Sequence, residues 1–164
     1  MSMFENDQYR WRETYFVLFS SAKAPGLKKL REMLQSLNSR FVLTNMQADA
    51  EGHVESMTIL APEDFAALDL CYVEGDEVQE QAALLYEELK STATQAAERQ
   101  RLERLKLLDA RFDVLHFEQL ADAGEEEGEG LDEMLDPSAL LLVLDALVEL
   151  TDGIAVDPQS GAML

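Results

Sequence analysis

The feature that most restricts the fold is an abrupt change of hydrophobic period between residues 14 and 37. Residues 14–20 (TYFVLFS) are rich in aromatic and β-branched side chains, which is typical of a buried strand. Apolar residues then recur at helical spacing with charged residues between them, after a proline that suits a first helical turn. These residues are Pro25, Leu27, Leu30, Leu34 and Leu37. The pattern predicts a strand followed by an amphipathic helix that packs on a sheet.

Further strands and helices follow along the chain. β-rich or alternating runs predict strands at 41–47, 54–60, 67–73, 112–117 and 154–156. A helical pattern covers 77–108, but its leucine stripe changes phase after Thr94, so we expect a kink or two helices there. The segment 137–150 is apolar on nearly every side, which indicates a buried helix or a dimer interface.

The order strand, helix, strand, strand, helix, strand is that of the ferredoxin-like split βαβ fold. We therefore predict an α+β protein with a ferredoxin-like βαββαβ-type core. Its sheet is expected to be mostly antiparallel with helices on one face, an extra strand and a C-terminal αβ addition. The 164 residues suit one domain, 1–164, within which the acidic segment 121–135 is predicted to be a flexible loop.

Residues 22–27 (AKAPGL), with Leu30 and Leu34 beyond them, resemble the strand-to-helix junction of ACT domains, a family of small regulatory modules. The resemblance covers residues 14–61. It implies ligand-dependent regulation, often through side-by-side dimers. The family usually has an acidic residue two places before the proline, where this chain has Lys23, and this difference argues against amino-acid binding.

The same junction offers groups that suit an anion. They are the hydroxyls of Ser20 and Ser21, the ammonium of Lys23 and the backbone N–H groups of Gly26 and Leu27. Free N–H groups and the helix dipole favour negative charge at a helix N-terminus. The sequence thus predicts a site for a small anionic ligand and no cofactor, against the alternative of an ordinary capped helix.

The net charge of −20 is unevenly distributed. Residues 1–61 contain 7 basic and 7 acidic residues, whereas residues 62–164 contain 6 and 26. Such a surface repels nucleic acid and anionic lipid, so neither is an expected partner. The excess serves solubility alone, or it makes residues 112–136 an acidic adaptor or nucleic-acid mimic that binds a basic protein. The candidate contacts are Glu125, Glu126, Glu127 and Glu129.

Familiar catalytic and metal-binding patterns are missing from the sequence. It has no phosphate-loop, dinucleotide, zinc-protease or nucleophile-elbow signature. In the acidic segment Glu127 stands where a calcium loop requires glycine, which leaves open only loose cation binding by the glutamates. Cys71 and His116 could form a nucleophilic pair only on neighbouring strands and one sheet face. We therefore predict no enzymatic activity and no metal site.

Cellular location and assembly follow from a few further features. The single cysteine cannot form an internal disulfide, the N-terminus lacks a signal-peptide pattern, and no apolar run reaches the length of a membrane span. These features predict a cytoplasmic protein. The leading hypothesis is a non-enzymatic, ligand- or protein-binding regulatory domain that forms a homodimer through an edge strand or the helix 137–150.

Overall fold

The computed structural model describes residues 8–120 and 137–164. In this part of the chain, seven strands form one sheet with four α-helices. The strands are β1 (Tyr9–Phe19), β2 (Val42–Ala48), β3 (Val54–Ala61), β4 (Ala66–Glu74), β5 (Ala110–Gln119), β6 (Ile154–Asp157) and β7 (Ala162–Met163). The helices are α1 (Leu27–Leu37), α2 (Asp76–Leu89), α3 (Ala96–Leu105) and α4 (Ser138–Thr151), and short 3-10 turns lie at Ser21–Lys23 and Pro62–Asp64.

The strand order in the sheet is β2-β3-β4-β5-β1-β6-β7, and every neighbouring pair is antiparallel. Hairpin connections explain the β2-β3-β4 side, because consecutive strands pair there. The centre is built differently, since β1 pairs along its length with β5, so that Phe19 lies opposite Ala110. The end of β1 is therefore next to the start of β5, and this places the first turn beside the loop that precedes β5.

One face of the sheet is covered by α1 and α4. Alternate residues of β1, Val17 and Phe19, are fully buried in the same apolar cluster as Leu30 and Leu34 of α1. The α4 residues of this cluster are Ala139, Leu140, Val143, Leu144 and Leu147. The amphipathic helix predicted from the leucine spacing thus packs on the sheet as its sequence requires.

The opposite face of the sheet is covered by α2 and α3. Leu18 of β1 is buried with Leu85 of α2 and with Leu102 and Leu105 of α3. The expectation of helices on one face is therefore wrong, and the strand order is not a simple βαββαβ arrangement. The physical reason is visible in β1, where Leu18, between Val17 and Phe19, is also apolar, so both faces of this central strand must be removed from water.

The α+β class and most elements agree with the sequence patterns. The predicted break within 77–108 is confirmed, because α2 and α3 are separate helices. β1 begins earlier than the apolar run suggested, and β7 was not expected. The predicted flexible loop at 121–135 lies outside the described residues.

The surfaces proposed for dimerisation have distinct characters. Helix α4 is largely enclosed by its own chain, although Leu141 and Leu142 retain 55% and 38% of their exposure. Strand β2 lies at an edge of the sheet, and its ladder with β3 is irregular near Asn45, whose φ is 50°. Such an irregularity makes an edge less suited to pairing with another strand. Homodimer formation stays a prediction.

Candidate functional site

The turn after β1 is held by a carboxylate from a distant part of the chain. Asp109, immediately before β5, accepts hydrogen bonds from the backbone N–H of Ser21 at 2.7 Å and from its hydroxyl at 2.8 Å. The backbone N–H of Lys23 donates to the carbonyl of Ser20 at 2.8 Å. Both donors of Ser21 are thus used within the protein, and the turn presents Ser20 and Lys23 to one side and Ser21 to the other.

A cavity of about 230 Å³ lies on the Lys23 side of this turn, and we call it the basic cavity. It is lined by Ser20, Lys23, Arg104, Leu107, Leu108, Thr151 and Asp152. The lining thus joins the first turn, the end of α3 with the loop after it, and the end of α4. Its apolar part is formed by the two leucines, of which Leu107 is 77% exposed.

Two cations in the basic cavity share one carboxylate. The Nζ atom of Lys23 lies 3.9 Å from Oδ2 of Asp152, and a terminal nitrogen of Arg104 lies 3.5 Å from Oδ1. Arg104 also donates to the backbone carbonyl of Asp152, which fixes its guanidinium at the cavity. The lining therefore carries one more positive than negative charge, in a protein whose net charge is −20.

A second cavity, of about 330 Å³, lies on the Ser21 side, and we call it the acidic cavity. It is lined by Ser21, Ala22, Ala24, Asp49, Glu51, His53, Tyr72 and Glu74. The hydroxyl of Tyr72 donates to Glu74 at 2.6 Å, and burial, followed by Glu74, raises the pKa of this phenol. The backbone N–H of His53 lowers the pKa of Asp49 by hydrogen bonding. Three carboxylic side chains, those of Asp49, Glu51 and Glu74, make this cavity unsuitable for an anion.

The five residues predicted to hold an anion are not brought together. Ser20 and Lys23 line the basic cavity, whereas Ser21 is bound to Asp109 and lines the acidic cavity. The N-terminus of α1 is occupied by the β2–β3 turn, because the N–H of Leu27 donates to the carbonyl of Gly52 at 2.8 Å. Gly26 forms an isolated bridge with the next residue of that turn. The hairpin thus takes the N–H of Leu27, one of the groups that the sequence pattern offered to a ligand.

Sequence reasoning missed Arg104, Thr151 and Asp152. A signal for Arg104 was present, because all six basic residues of the acidic half lie between positions 90 and 111. A cationic segment in an otherwise acidic half is a candidate contact for an anion. No comparable signal marked Asp152, since its approach to Lys23 depends on how α4 ends against β1.

The nucleophilic pair considered from the sequence is excluded by the sheet register. Cys71 lies opposite Asp113, whereas His116 lies opposite Leu68, so the two side chains project from opposite faces of neighbouring strands. Burial, followed by the charges of Asp69 and Asp113, raises the pKa of the Cys71 thiol. A thiol that stays protonated is a poor nucleophile.

His116 is a core residue with one satisfied nitrogen. Its side chain is 1% exposed, and Nδ1 lies 3.2 Å from a carboxylate oxygen of Glu13 on β1. Nε2 is buried and has no hydrogen-bond partner among the described residues. Neither of the two cavities described above is lined by His116, which places it outside the candidate site.

The described residues contain neither a metal-ligand cluster nor a helix that could cross a membrane. No group of three or more His, Cys, Asp or Glu side chains within 8–120 and 137–164 has the arrangement of a metal site. None of the four helices is long and apolar enough to cross a membrane. The four glutamates proposed for a basic partner, Glu125, Glu126, Glu127 and Glu129, lie outside the described residues.

Comparison of the chain with protein-family models, with curated proteins and with solved structures found no match.

Proposed function

We propose that this protein is a non-enzymatic regulatory module that binds a small anion in the basic cavity. The observation that carries the proposal is the convergence of Lys23 and Arg104, from segments about 80 residues apart, on one shared carboxylate. Two cations beside a cavity suit an anionic group, and Ser20 adds a hydroxyl at the same wall. A ligand-binding regulatory role is also what the ACT-like resemblance of residues 14–61 implies.

The two leucines of the basic cavity indicate what else the ligand carries. Leu107 is largely exposed and Leu108 is buried, so the lining combines charged and apolar groups. A volume of about 230 Å³ accommodates a small molecule rather than a folded domain. The proposed ligand is therefore a small organic anion with a short apolar part.

The test is a calorimetric or NMR titration of the full chain with inorganic phosphate and with a short alkyl phosphate at 0.15 M salt. At this ionic strength the Debye length is about 8 Å, so distant carboxylates are largely screened. Lys23→Gln and Arg104→Gln are each expected to weaken binding about tenfold or more, because each removes a charge-assisted contact.

Lys28→Gln is the matched control, since it removes the same charge from an exposed position of α1 outside the cavity. Equal weakening by Lys28→Gln would mean that only net charge matters, and this would overturn the site. Absence of binding by the unmodified protein to both phosphates would overturn the proposed function itself.

A second function, binding of a basic protein, is favoured by the charge distribution alone. From residue 112 to residue 164 the chain has 14 acidic residues and no basic one. Electrostatic capture of a basic partner should then weaken with salt. Replacing the four glutamates at 125, 126, 127 and 129 by glutamine is expected to abolish capture of a purified basic peptide, and unchanged capture would contradict this role.

A further inference from the structure

The backbone at Asp152, at the end of α4, is held in one position by its neighbours. It follows the last residue of α4 and adopts the left-handed conformation, with φ 53°. The next residue, Gly153, is packed so closely that a Cβ atom there would lie 2.5 Å from the carbonyl oxygen of Leu18. The N–H of Gly153 also donates to the carbonyl of Val148 at 3.1 Å. The backbone of this segment is therefore fixed against β1.

The side chain of Asp152, by contrast, is largely exposed. It retains 69% of its exposure, with Oδ2 at 3.9 Å from the Lys23 ammonium and Oδ1 at 3.5 Å from the Arg104 guanidinium. These are ion-pair separations, longer than the 2.7–2.9 Å that charge-assisted hydrogen bonds usually reach. Rotation about two side-chain bonds moves this carboxylate into solvent without any change of the backbone.

We propose that Asp152 is an internal competitor, a carboxylate that occupies the anion subsite of the basic cavity until a phosphoryl group displaces it. This inference rests on the proposed function and adds to it the class of ligand and the way in which the site rejects weaker anions. The chain holds the carboxylate of Asp152 beside the cations. A free ligand therefore binds only if it interacts with Lys23 and Arg104 more favourably than this carboxylate does.

The competitor selects against monocarboxylates. A free carboxylate offers the same two oxygens and one charge that Asp152 already provides, and its association also costs translational and rotational freedom. A phosphoryl group at pH 7 has a charge of about −1.5 to −2 and three acceptor oxygens. It can therefore approach Lys23 and Arg104 at hydrogen-bond distance and leave Asp152 to solvent.

The decisive variant is Asp152→Asn. Asparagine adopts the left-handed conformation as readily as aspartate, so the end of α4 is preserved while the competing charge is removed. Each exposed ion pair is weak, and releasing both cations from Asp152 should tighten phosphate binding about 2- to 30-fold. Acetate, which we expect not to bind the unmodified protein measurably, should bind Asp152→Asn, so the preference for phosphate falls.

The experiment is a titration of the full chain with inorganic phosphate and with sodium acetate at constant ionic strength, followed by calorimetry and by the amide shifts of Ser20, Thr151 and Gly153. Asp145→Asn is the matched control, because it removes one exposed charge from α4 outside the cavity. Asp152→Gly, which also suits the left-handed conformation, replaces Asp152→Asn if circular dichroism shows that the latter is unfolded.

The outcomes separate the two proposals. Tighter phosphate binding and newly measurable acetate binding by Asp152→Asn, with Asp145→Asn unchanged, support the competitor. Phosphate binding by the unmodified protein that depends on Lys23 but is not tightened by Asp152→Asn, or is tightened equally by Asp145→Asn, overturns the competitor and leaves the site. No phosphate binding by the unmodified protein, whether or not Asp152→Asn binds it, overturns the proposed function and with it the inference.

Discussion

Gly153 shows how a single residue allows the end of α4 to pack closely against β1. An added Cβ would lie 2.5 Å from the carbonyl oxygen of Leu18, 2.8 Å from the hydroxyl of Thr151 and 3.2 Å from Cβ of Phe19. Backbone and core atoms cannot yield easily, so Gly153→Ala is expected to lower the free energy of unfolding by about 1–3 kcal/mol. Urea denaturation of the purified variant measures this change.

Gly26→Ala is the control for that substitution. Its added Cβ would meet only the carbonyl oxygen of Gly52, at an ordinary distance of 3.8 Å, and its φ of −72° suits alanine. Stability within about 0.5 kcal/mol of the unmodified protein is expected. If Gly153→Ala were equally harmless, α4 would not be fixed against β1 as described.

The reactivity of Cys71 tests the raised pKa of its thiol. Because burial raises the pKa of this thiol, a smaller fraction is thiolate at any pH below that pKa, and alkylation should be slower in the native protein than in urea. The rate at pH 8 with iodoacetamide measures the difference. Asp69→Asn should accelerate the native reaction only in part, since the charge of Asp69 is a smaller cause than burial.

Asp145→Asn is the control for the charge, because it lies on α4 and is no cause of the Cys71 shift. The native rate should rise with pH as the thiolate fraction increases. A native rate equal to that in urea would contradict the raised pKa.

At the scale of elements, α3 and the loop after it connect the sheet to the basic cavity through two leucines of opposite exposure. Leu105 is fully buried against the β1 face that includes Leu18, whereas Leu107 is 77% exposed at the cavity. Leu105→Ala is expected to cost about 2–5 kcal/mol of stability and Leu107→Ala less than about 0.5 kcal/mol. Chemical denaturation of the pair measures this contrast, and similar losses for both would show that the end of α3 packs differently.

The elements themselves could be predicted because their signals are local. The leucine stripe of α1 and the alternation of Leu68 and Leu70 in β4 are read from residues a few positions apart. Leu30, Leu34, Leu68 and Leu70 are buried as expected, whereas Leu37 at the end of the stripe is 41% exposed. The sheet order could not be predicted in this way. The ladder between β1 and β5 joins residues about 100 positions apart, and no local pattern indicates which strand lies beside β1.

In the candidate site, too, only the residues placed by local sequence could be predicted. Ser20 and Lys23 follow a strand directly, so their place at a strand-to-helix junction was predictable. The neighbours that decide their role, Arg104 and Asp152, arrive through the packing of α3 and α4 on opposite faces of the sheet. The occupation of Ser21 by Asp109 depends likewise on the β1–β5 register.

At the scale of the whole molecule, charge is the dominant long-range force. The carboxylates of the described surface include Asp145 and Glu149, which are exposed one turn apart on α4 with no basic residue on that helix. Like charges at this spacing repel, and a net charge of −20 adds a field that opposes the compact state. Some attractive ion pairs are shielded from solvent, because Glu118 is buried beside Arg10 and Arg12.

Screening of this repulsion gives a prediction for the entire chain. Raising NaCl from 0.01 M to 0.15 M shortens the Debye length from about 30 Å to about 8 Å, so repulsion between distant carboxylates falls while buried pairs such as that of Glu118 are affected less. We expect the melting temperature to rise by about 3 °C or more, since 1 kcal/mol corresponds to about 2–4 °C for a chain of this size.

The double variant Asp145→Asn, Glu149→Gln should melt higher than the unmodified protein at 0.01 M and show a smaller response to salt, because part of the repulsion has already been removed. Differential scanning calorimetry measures both quantities, and a melting temperature that falls with salt would mean that attractive surface ion pairs, rather than repulsion, govern the stability of this protein.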